Sequence, residues 1–440
     1  MIFAKAYFSK VFQRNEIKRF IEINFWVAGT TLFKALTQLV TLKMIALHLG
    51  AVGIGIFGQA VSCVVALNSI FSSGLLNFTV SEISKNGDRI GELNKICGVI
   101  GLWIITAQAV FLFIAVFFAR YLSQAIFASP DYSWFFYSLA GVSIFFNLHS
   151  ASTGFLSALG EIKEIFKAHL ASFVAVSLIL IFLVRSFLTE TAIIASFIVL
   201  VSQSVCLVFF LVRTGRVSVK NFWPSYQKDY VIKILKFSII MIVTGLLGML
   251  YQIYMRNEIL KAPLHGWADV GGWQAVLKVS EITMSFLGLS ILTSYFPQIS
   301  KLKSAGEIKD YVSRFALRFG ILVVTSLATL ILLSGTILHL LYDKSFEGLS
   351  SLLRLQLLGD IFKLFGWLFS YFFLAKLRLI FFLSFELISL ASLTLLSVLF
   401  KNLYGIKGII YAHCLNSFLF FISGFLLFVI ILKQDRKWIE

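Results

Sequence analysis

Apolar segments long enough to cross a bilayer follow one another from residue 24 to residue 432, and no water-soluble fold can hide so much continuous apolar sequence. An α-helix rises about 1.5 Å per residue, so roughly 20 apolar residues traverse about 30 Å of hydrocarbon. Twelve such segments can be read, near 24–47, 56–81, 97–119, 134–158, 165–185, 190–212, 232–255, 270–296, 315–338, 350–374, 378–400 and 407–432. They predict an all-α, polytopic membrane protein. The composition agrees, with 59% hydrophobic and 13% charged residues, against about 45–50% and about 25% in soluble domains.

The formal charge of +17 raises the question of nucleic acid, but a basic helix or tail on a soluble face would then be needed, and none is present. The basic residues fall on alternate connectors instead, as the positive-inside rule sorts them. One set comprises Lys5, Lys10, Arg14, Lys18 and Arg19, then Lys85, Arg89 and Lys95, then Lys163 and Lys167, then Arg213, Arg216, Lys220, Lys228, Lys233 and Lys236, then Lys301, Lys303, Lys309, Arg314 and Arg318, then Lys376 and Arg378, and finally Lys433, Arg436 and Lys437. The opposite connectors hold only Arg120, Arg185, Arg256, Lys261, Lys344, Lys401 and Lys407. Both termini are therefore expected in the cytoplasm, the membrane being a bacterial inner membrane, with an even number of crossings.

Cys63, Cys97, Cys206 and Cys414 lie in apolar segments without paired spacing and read as small core residues. The first apolar stretch is too long for a signal h-region and reads as a retained helix. His149, His339 and His413 show no ligand spacing, and neither a phosphate loop nor a nucleophile elbow occurs. No metal, cofactor or ATP hydrolysis is expected. No connector is long enough for an extramembrane domain of about 50 residues, which counts against a glycan polymerase or ligase with an external catalytic loop.

Three local patterns recur at nearly one offset. Val52-Gly53 with Gln59-Ala60-Val61 echoes Val270-Gly271 with Gln274-Ala275-Val276; Ile126-Phe127 echoes Leu341-Tyr342; Phe155-Leu156 through Ala158 echoes Phe373-Leu374-Ala375. The agreement predicts two parallel six-helix lobes around a central cavity. The expected organisation is a basic cytoplasmic arm (1–23), an N-lobe (24–212), a basic linker (213–231), a C-lobe (232–432) and a cytoplasmic tail (433–440).

An ionised group at the bilayer centre costs at least about 2.5–3.5 kcal/mol, so each needs a partner, a wet cavity or neutralisation. Lys34 lies about 15 Å into the first crossing, near midplane. Lys43 is nearly opposite it round the helix and near the outer end, where its stem reaches the headgroups or a cavity. In the eighth crossing Gln274, Lys278, Glu281, Ser285 and Gly288 form one polar stripe, and Gln356, Asp360, Lys363 and Trp367 form another in the tenth. Asn68, Ser72 and Thr79 in the second crossing and Asn147, Ser150, Gly154 and Ser157 in the fourth add polar faces. Together they point to a hydrated cavity; the alternative is that Lys278 with Glu281, and Asp360 with Lys363, are closed ion pairs serving assembly alone. Glu386 is a lone acid in the eleventh crossing, paired across helices or protonatable.

Val270-Gly271-Gly272-Trp273-Gln274, running to Tyr295-Phe296-Pro297-Gln298-Ile299-Ser300-Lys301-Leu302, resembles the Wzx-type flippases of lipid-linked oligosaccharides, those carrying lipid III above all. So do Gln356-Leu357-Leu358-Gly359-Asp360-Ile361-Phe362-Lys363, Ala375-Lys376 and Glu386. The resemblance covers most of the chain and implies the multidrug/oligosaccharidyl-lipid/polysaccharide exporter fold with alternating access. It also implies an acid at Glu281, Asp360 and Lys363 in the tenth crossing, and a base at Lys34; Lys278 departs from the pattern. The expected substrate is an undecaprenyl-pyrophosphate-linked oligosaccharide, of the lipid III or O-antigen repeat type, with membrane lipid, a glycan polymerase and chain-length machinery as candidate partners. On that reading Lys34, Lys363, Lys278, Lys43, Gln274, Gln356 and Asn147 bind substrate, while Glu281, Asp360 and Glu386 serve proton coupling or ion pairing. A cation-coupled drug exporter is the rival within the same class, although the intramembrane lysines favour an anionic substrate. An assembly scaffold whose stripes only bind partner helices is the reading outside transport.

Overall fold

The computed structural model describes residues 14–86, 89–183, 189–241, 246–261, 266–302, 304–342, 344–376 and 378–434. The expected basic arm thus lies largely outside the described residues, as does the tail from 435 onward. The helices are α1 (Arg14–Phe71), α2 (Ser73–Asn86), α3 (Ile90–Phe127), α4 (Ser133–Val142), α5 (Ile144–Ala158), α6 (Ile162–Leu183), α7 (Thr189–Arg213), α8 (Lys228–Met241), α9 (Leu247–Leu260), α10 (Trp267–Ser290), α11 (Phe296–Lys301), α12 (Ala305–Leu332), α13 (Ser334–Leu341), α14 (Ser350–Ala375), α15 (Leu379–Tyr404) and α16 (Ile406–Gln434). Among the described residues there is no strand.

Among the described residues eight helices are long and apolar enough to span a membrane, and the first of these, Phe25–Phe71, has 47 residues. At 1.5 Å per residue that is about 70 Å, enough for two passes. The chain turns back at Gly50, whose φ of 58° and ψ of −152° suit a residue without Cβ. Large apolar side chains on the outside of the bundle, such as Phe182, Leu332 and Ile380 at 80% exposure or more, face lipid. The chain is a multi-pass membrane protein.

Several expected crossings are kinked or in pieces. The fourth is divided at Ser143, whose hydroxyl donates to Gln108 Oε1 at 2.7 Å and to the Ala140 carbonyl at 2.8 Å. The ninth is divided before Ser334, which accepts from Arg354 Nε at 2.9 Å. In the eighth a π-helical turn, Ile291–Tyr295, precedes α11, which has Pro297 in its first turn. A ring without an N–H removes one ladder bond and crowds the turn before it, which accounts for the widened turn there.

Position in the bundle follows from close approach. The outgoing limb of α1 after Gly50 packs along α10, and glycines permit it: a Cβ on Gly271 would stand 1.7 Å from the Ala51 carbonyl, and one on Gly55 2.5 Å from the Trp267 carbonyl. These contacts lie at the end of the bundle away from the basic connectors. Toward the basic end α2 continues against α5 and α8, and Gly74 meets Ser238 there. The two limbs that begin together at one end are thus packed on different neighbours at the other.

Candidate functional site

The two polar stripes read from the sequence do face each other. Glu281, Ser285 and Gly288 of α10 and Gln356, Lys363 and Trp367 of α14 line a cavity of about 540 Å³ with Tyr251 and Gln252 of α9, Leu390 of α15 and His413 of α16, whereas Gln274, Lys278 and Asp360 of the same stripes do not line it, although Gln274 and Lys278 were expected to bind substrate there. A smaller cavity of about 320 Å³ adjoins it, lined by Lys363, Trp367, Glu386, His413 and Asn416 among others. Lys363, Trp367 and His413 belong to both walls.

Of the two closed ion pairs that stood as the alternative reading, one forms and the other does not. Lys278 Nζ does close on Glu281 Oε2 at 2.9 Å, and Gln252 Nε2 donates to the other carboxylate oxygen at 3.0 Å. Asp360, however, is not paired with Lys363. It turns into the helix interface with 1% exposure, where it accepts from Ser280 Oγ at 2.6 Å and meets His413 Nε2 at 3.0 Å. Residues three apart share a face only to within about 60°, so Asp360 can be sealed while Lys363 looks into the cavity. There the Lys363 ammonium lies 6.0 Å from the Trp367 ring centre, with no carboxylate partner among the described residues. Gln356 donates to Ser280 Oγ at 3.3 Å, and Glu386 accepts from Ser370 Oγ at 2.5 Å.

Lys34 and Asn147 lie elsewhere. Thr30, Thr37 and Thr41 share a face of α1 with Lys34, and each hydroxyl bonds back to a carbonyl four residues earlier. Across from it stand His149 of α5 and His169 of α6, rings 6.3 Å apart, both within the field of the Lys34 ammonium. Lys34 has no carboxylate partner among the described residues, and His169 Nε2 and Ser172 Oγ have no hydrogen-bond partner there. Asn147 accepts from Ser72 Oγ at 3.1 Å. Neither Lys34 nor Asn147 lines the cavity that holds Lys363.

Lys43 neither snorkels nor enters that cavity. Its ammonium donates to the Tyr342 carbonyl at 2.6 Å and to that of His339 at 3.4 Å, tying α1 to the turn after α13. Arg256 is the largest correction, because the sequence reading counts it among connector charges. It is 0% exposed and donates to Gln59, Ser62, Gln252 and Gln274. The i,i+4 spacing of Gln252 and Arg256 marks one face of α9 and was the available signal. His413, Ser280 and His169 carried no comparable periodic signal. No group of three His, Cys, Asp or Glu side chains capable of holding a metal occurs among the described residues.

A family model described as polysaccharide biosynthesis protein matches residues 24–303. The chain is 23% identical over 380 residues to the lipid III flippase of Escherichia coli (strain K12), an alignment covering 85% of this chain and 88% of that protein. It superposes on the inward-facing conformation of a multidrug resistance MATE family transporter of the MOP superfamily with a TM-score of 0.75, at 15% identity, over 91% of this chain and 96% of the other. A MOP superfamily transporter from Pyrococcus furiosus, described as having a binding pocket of reverse polarity, gives a TM-score of 0.66 at 15% identity, over 96% of each chain.

Proposed function

Because the chain belongs to the polysaccharide biosynthesis protein family, we propose that it is a flippase for a lipid-linked oligosaccharide, moving an undecaprenyl-pyrophosphate-linked repeat unit from the cytoplasmic to the periplasmic leaflet of the inner membrane. The observation that carries this reading is Lys363: a cation on the shared wall of two intramembrane cavities, closed in no ion pair among the described residues although Glu386 lines the smaller cavity with it. Such a charge is costly in hydrocarbon unless an anion or water meets it, and a pyrophosphate supplies the anion. Lysine suits a transported ligand because it acts as a point charge on a flexible stem, rather than as a fork demanding one geometry. Trp367 and Tyr371 beside it offer flat faces for sugar rings, while Leu383, Leu387 and Leu390 of the smaller cavity give the polyprenyl chain an apolar wall. The similarity to a lipid III flippase supports the substrate class.

The basic connectors face the cytoplasm in this reading, and the clamped end of α1 and α10 faces the periplasm. The cavity then receives substrate from the cytoplasmic side. Lys34, with His149 and His169, forms a second cationic station in the other half. Return of the empty carrier is driven by protons: a proton on Glu281 releases Lys278, and one on the Asp360–His413 pair unlocks α14 from α16. Each charge moved through 100 mV is worth about 2.3 kcal/mol, so one or two protons per cycle suffice to bias it. Drug export by the same fold is the weaker reading, since Lys34 and Lys363, neither closed in an ion pair among the described residues, suit an anionic substrate.

The test is transfer of a lipid-linked oligosaccharide in proteoliposomes. Wild-type protein is expected to translocate it intact and Lys363→Ala to fail; equal rates would remove the reading. Full transport after collapse of the proton gradient would remove the coupling alone.

A further inference from the structure

Arg256 is fully buried at the clamped end of the bundle and has no direct carboxylate partner among the described residues. Its charge is solvated by neutral oxygens. Nη1 donates to Gln59 Oε1 at 3.2 Å and Ser62 Oγ at 2.8 Å, both from α1; Nη2 donates to Gln252 Oε1 at 3.0 Å and Gln274 Oε1 at 2.5 Å, from α9 and α10. The guanidinium also lies 5.8 Å from the Trp273 ring centre. Gln59 and Gln274 are the paired glutamines of the two repeated segments, Gln59-Ala60-Val61 and Gln274-Ala275-Val276. One arginine therefore joins the same position of both repeats.

The joint extends further. Gln59 Nε2 donates to the Ile126 carbonyl and, at 3.3 Å, to Asn257 Oδ1, while Asn257 Nδ2 donates to the Ala125 carbonyl at 2.5 Å. The end of α3 is thereby fastened to the same cluster. On the other side Gln252 passes from Arg256 to Glu281, and both Gln252 and Glu281 line the large cavity.

We infer that Arg256 is a positioning residue: a latch that holds the end opposite the basic connectors closed and that yields to an anionic head in the cavity. The trigger half of this inference rests on the flippase reading above; the latch half does not. The physical basis is an exchange of acceptors. A phosphate oxygen brings a full negative charge and a bidentate geometry to the guanidinium, where a side-chain amide offers only a neutral oxygen. A pyrophosphate reaching Gln252 and Glu281 competes for the guanidinium, and also for Lys278 on the same carboxylate. When Arg256 turns toward it, Gln59 and Gln274 lose the donor they share. The close packing of Gly55, Gly58 and Gly271 at that end then loses its charged tie, and between α1 and α9 only the weaker bonds of Gln59 to Asn257 and of Ser62 to Gln252 remain. A neutral lipid offers no such acceptor and leaves the latch shut, so the device opens only for cargo of the right charge.

Hydrogen–deuterium exchange of the full-length protein in lipid nanodiscs tests both halves. Arg256→Gln keeps hydrogen-bonding capacity but removes the charge. It is expected to speed exchange about tenfold or more in peptides covering residues 51–62 and 267–274, the effect of losing a charged hydrogen bond, with peptides of 350–375 unchanged. Arg256→Lys, which keeps the charge but not the fork, should fall between. Unchanged exchange at 51–62 and 267–274 in Arg256→Gln overturns the latch, and acceleration throughout the chain, 350–375 included, overturns it as well by marking a packing role. In the wild type, a polyprenyl pyrophosphate should reproduce the local acceleration and a polyprenol should not. If the pyrophosphate binds by thermal shift yet leaves both peptides protected, the trigger is overturned. If it does not bind at all, the flippase reading and the trigger fail together, and the latch is judged by the variants.

Discussion

The two halves of the molecule treat buried charge in opposite ways. The apolar segments before residue 213 contain no acid except Glu190 at the very start of one, and their midplane cation, Lys34, stands with two histidines. The second half carries Glu281, Asp360 and Glu386 within its segments, beside Lys278, Lys363 and His413. There each carboxylate is hydrogen-bonded, Glu281 to a lysine and Asp360 to a histidine, whereas Lys363 is left to the cavity. A half with only cations can do little but attract an anion. A half with both signs can trade partners, which is what a carrier that must also release its cargo requires.

The strongest test of that difference is Lys363→Ala. Since this lysine has no ion-pair partner to strand, its loss should cost transport and spare stability: about a hundredfold in the rate of oligosaccharide translocation, with thermal unfolding in detergent shifted little. A large loss of melting temperature would show that Lys363 is structural and erase the contrast. Next comes the paired acid. Glu281→Gln leaves Lys278 without its carboxylate and should lower stability by about 1–3 kcal/mol, less than a fully buried pair because the glutamate is 35% exposed. Lys278→Met added to it should recover much of the loss, and a double-mutant cycle measures the coupling.

Lys34→Ala should do the reverse of Glu281→Gln. Removing an uncompensated ammonium from a buried site relieves a cost, so the melting temperature should rise while translocation falls about tenfold, the loss of one charge interaction. A fall in melting temperature would mean the first half balances its charge after all. The smallest effect belongs to Lys261, outside the apolar segments, which bonds Glu258 at 2.7 Å with 70% exposure. The Glu258 carboxylate raises its ammonium above the usual lysine range, so its contribution is present below that range and lost as pH rises through the shifted value. Lys261→Ala should change stability by less than about 0.5 kcal/mol near neutrality, and the gap from wild type should close in strong alkali.

Much of the site was legible because it is periodic. Gln274, Lys278, Glu281 and Gln356, Asp360, Lys363 are spaced at helical intervals in segments otherwise apolar, and Glu281, Gln356 and Lys363 of these stripes line one cavity, while Gln274, Lys278 and Asp360 do not. The contacts across helices were not legible. Asp360 finds Ser280 and His413, 80 and 53 residues away in the chain, and Lys43 finds the carbonyls of His339 and Tyr342 nearly 300 residues on. Arg256 was hidden for another reason: it stands near the end of a crossing, where charge ordinarily belongs to a connector.

By itself the sequence determined the solvent and the secondary structure of this protein, because a backbone in hydrocarbon must satisfy its own hydrogen bonds and long apolar runs leave only the helix to do so. It also determined which helix faces are polar. The tertiary structure decided which charges cancel and which stay available, since that depends on how one helix is rotated against another by contacts as small as a glycine without its Cβ. An angle of about 60° round one helix separates a sealed Asp360 from a Lys363 open to its cavity, and no periodicity records which of the two is turned inward.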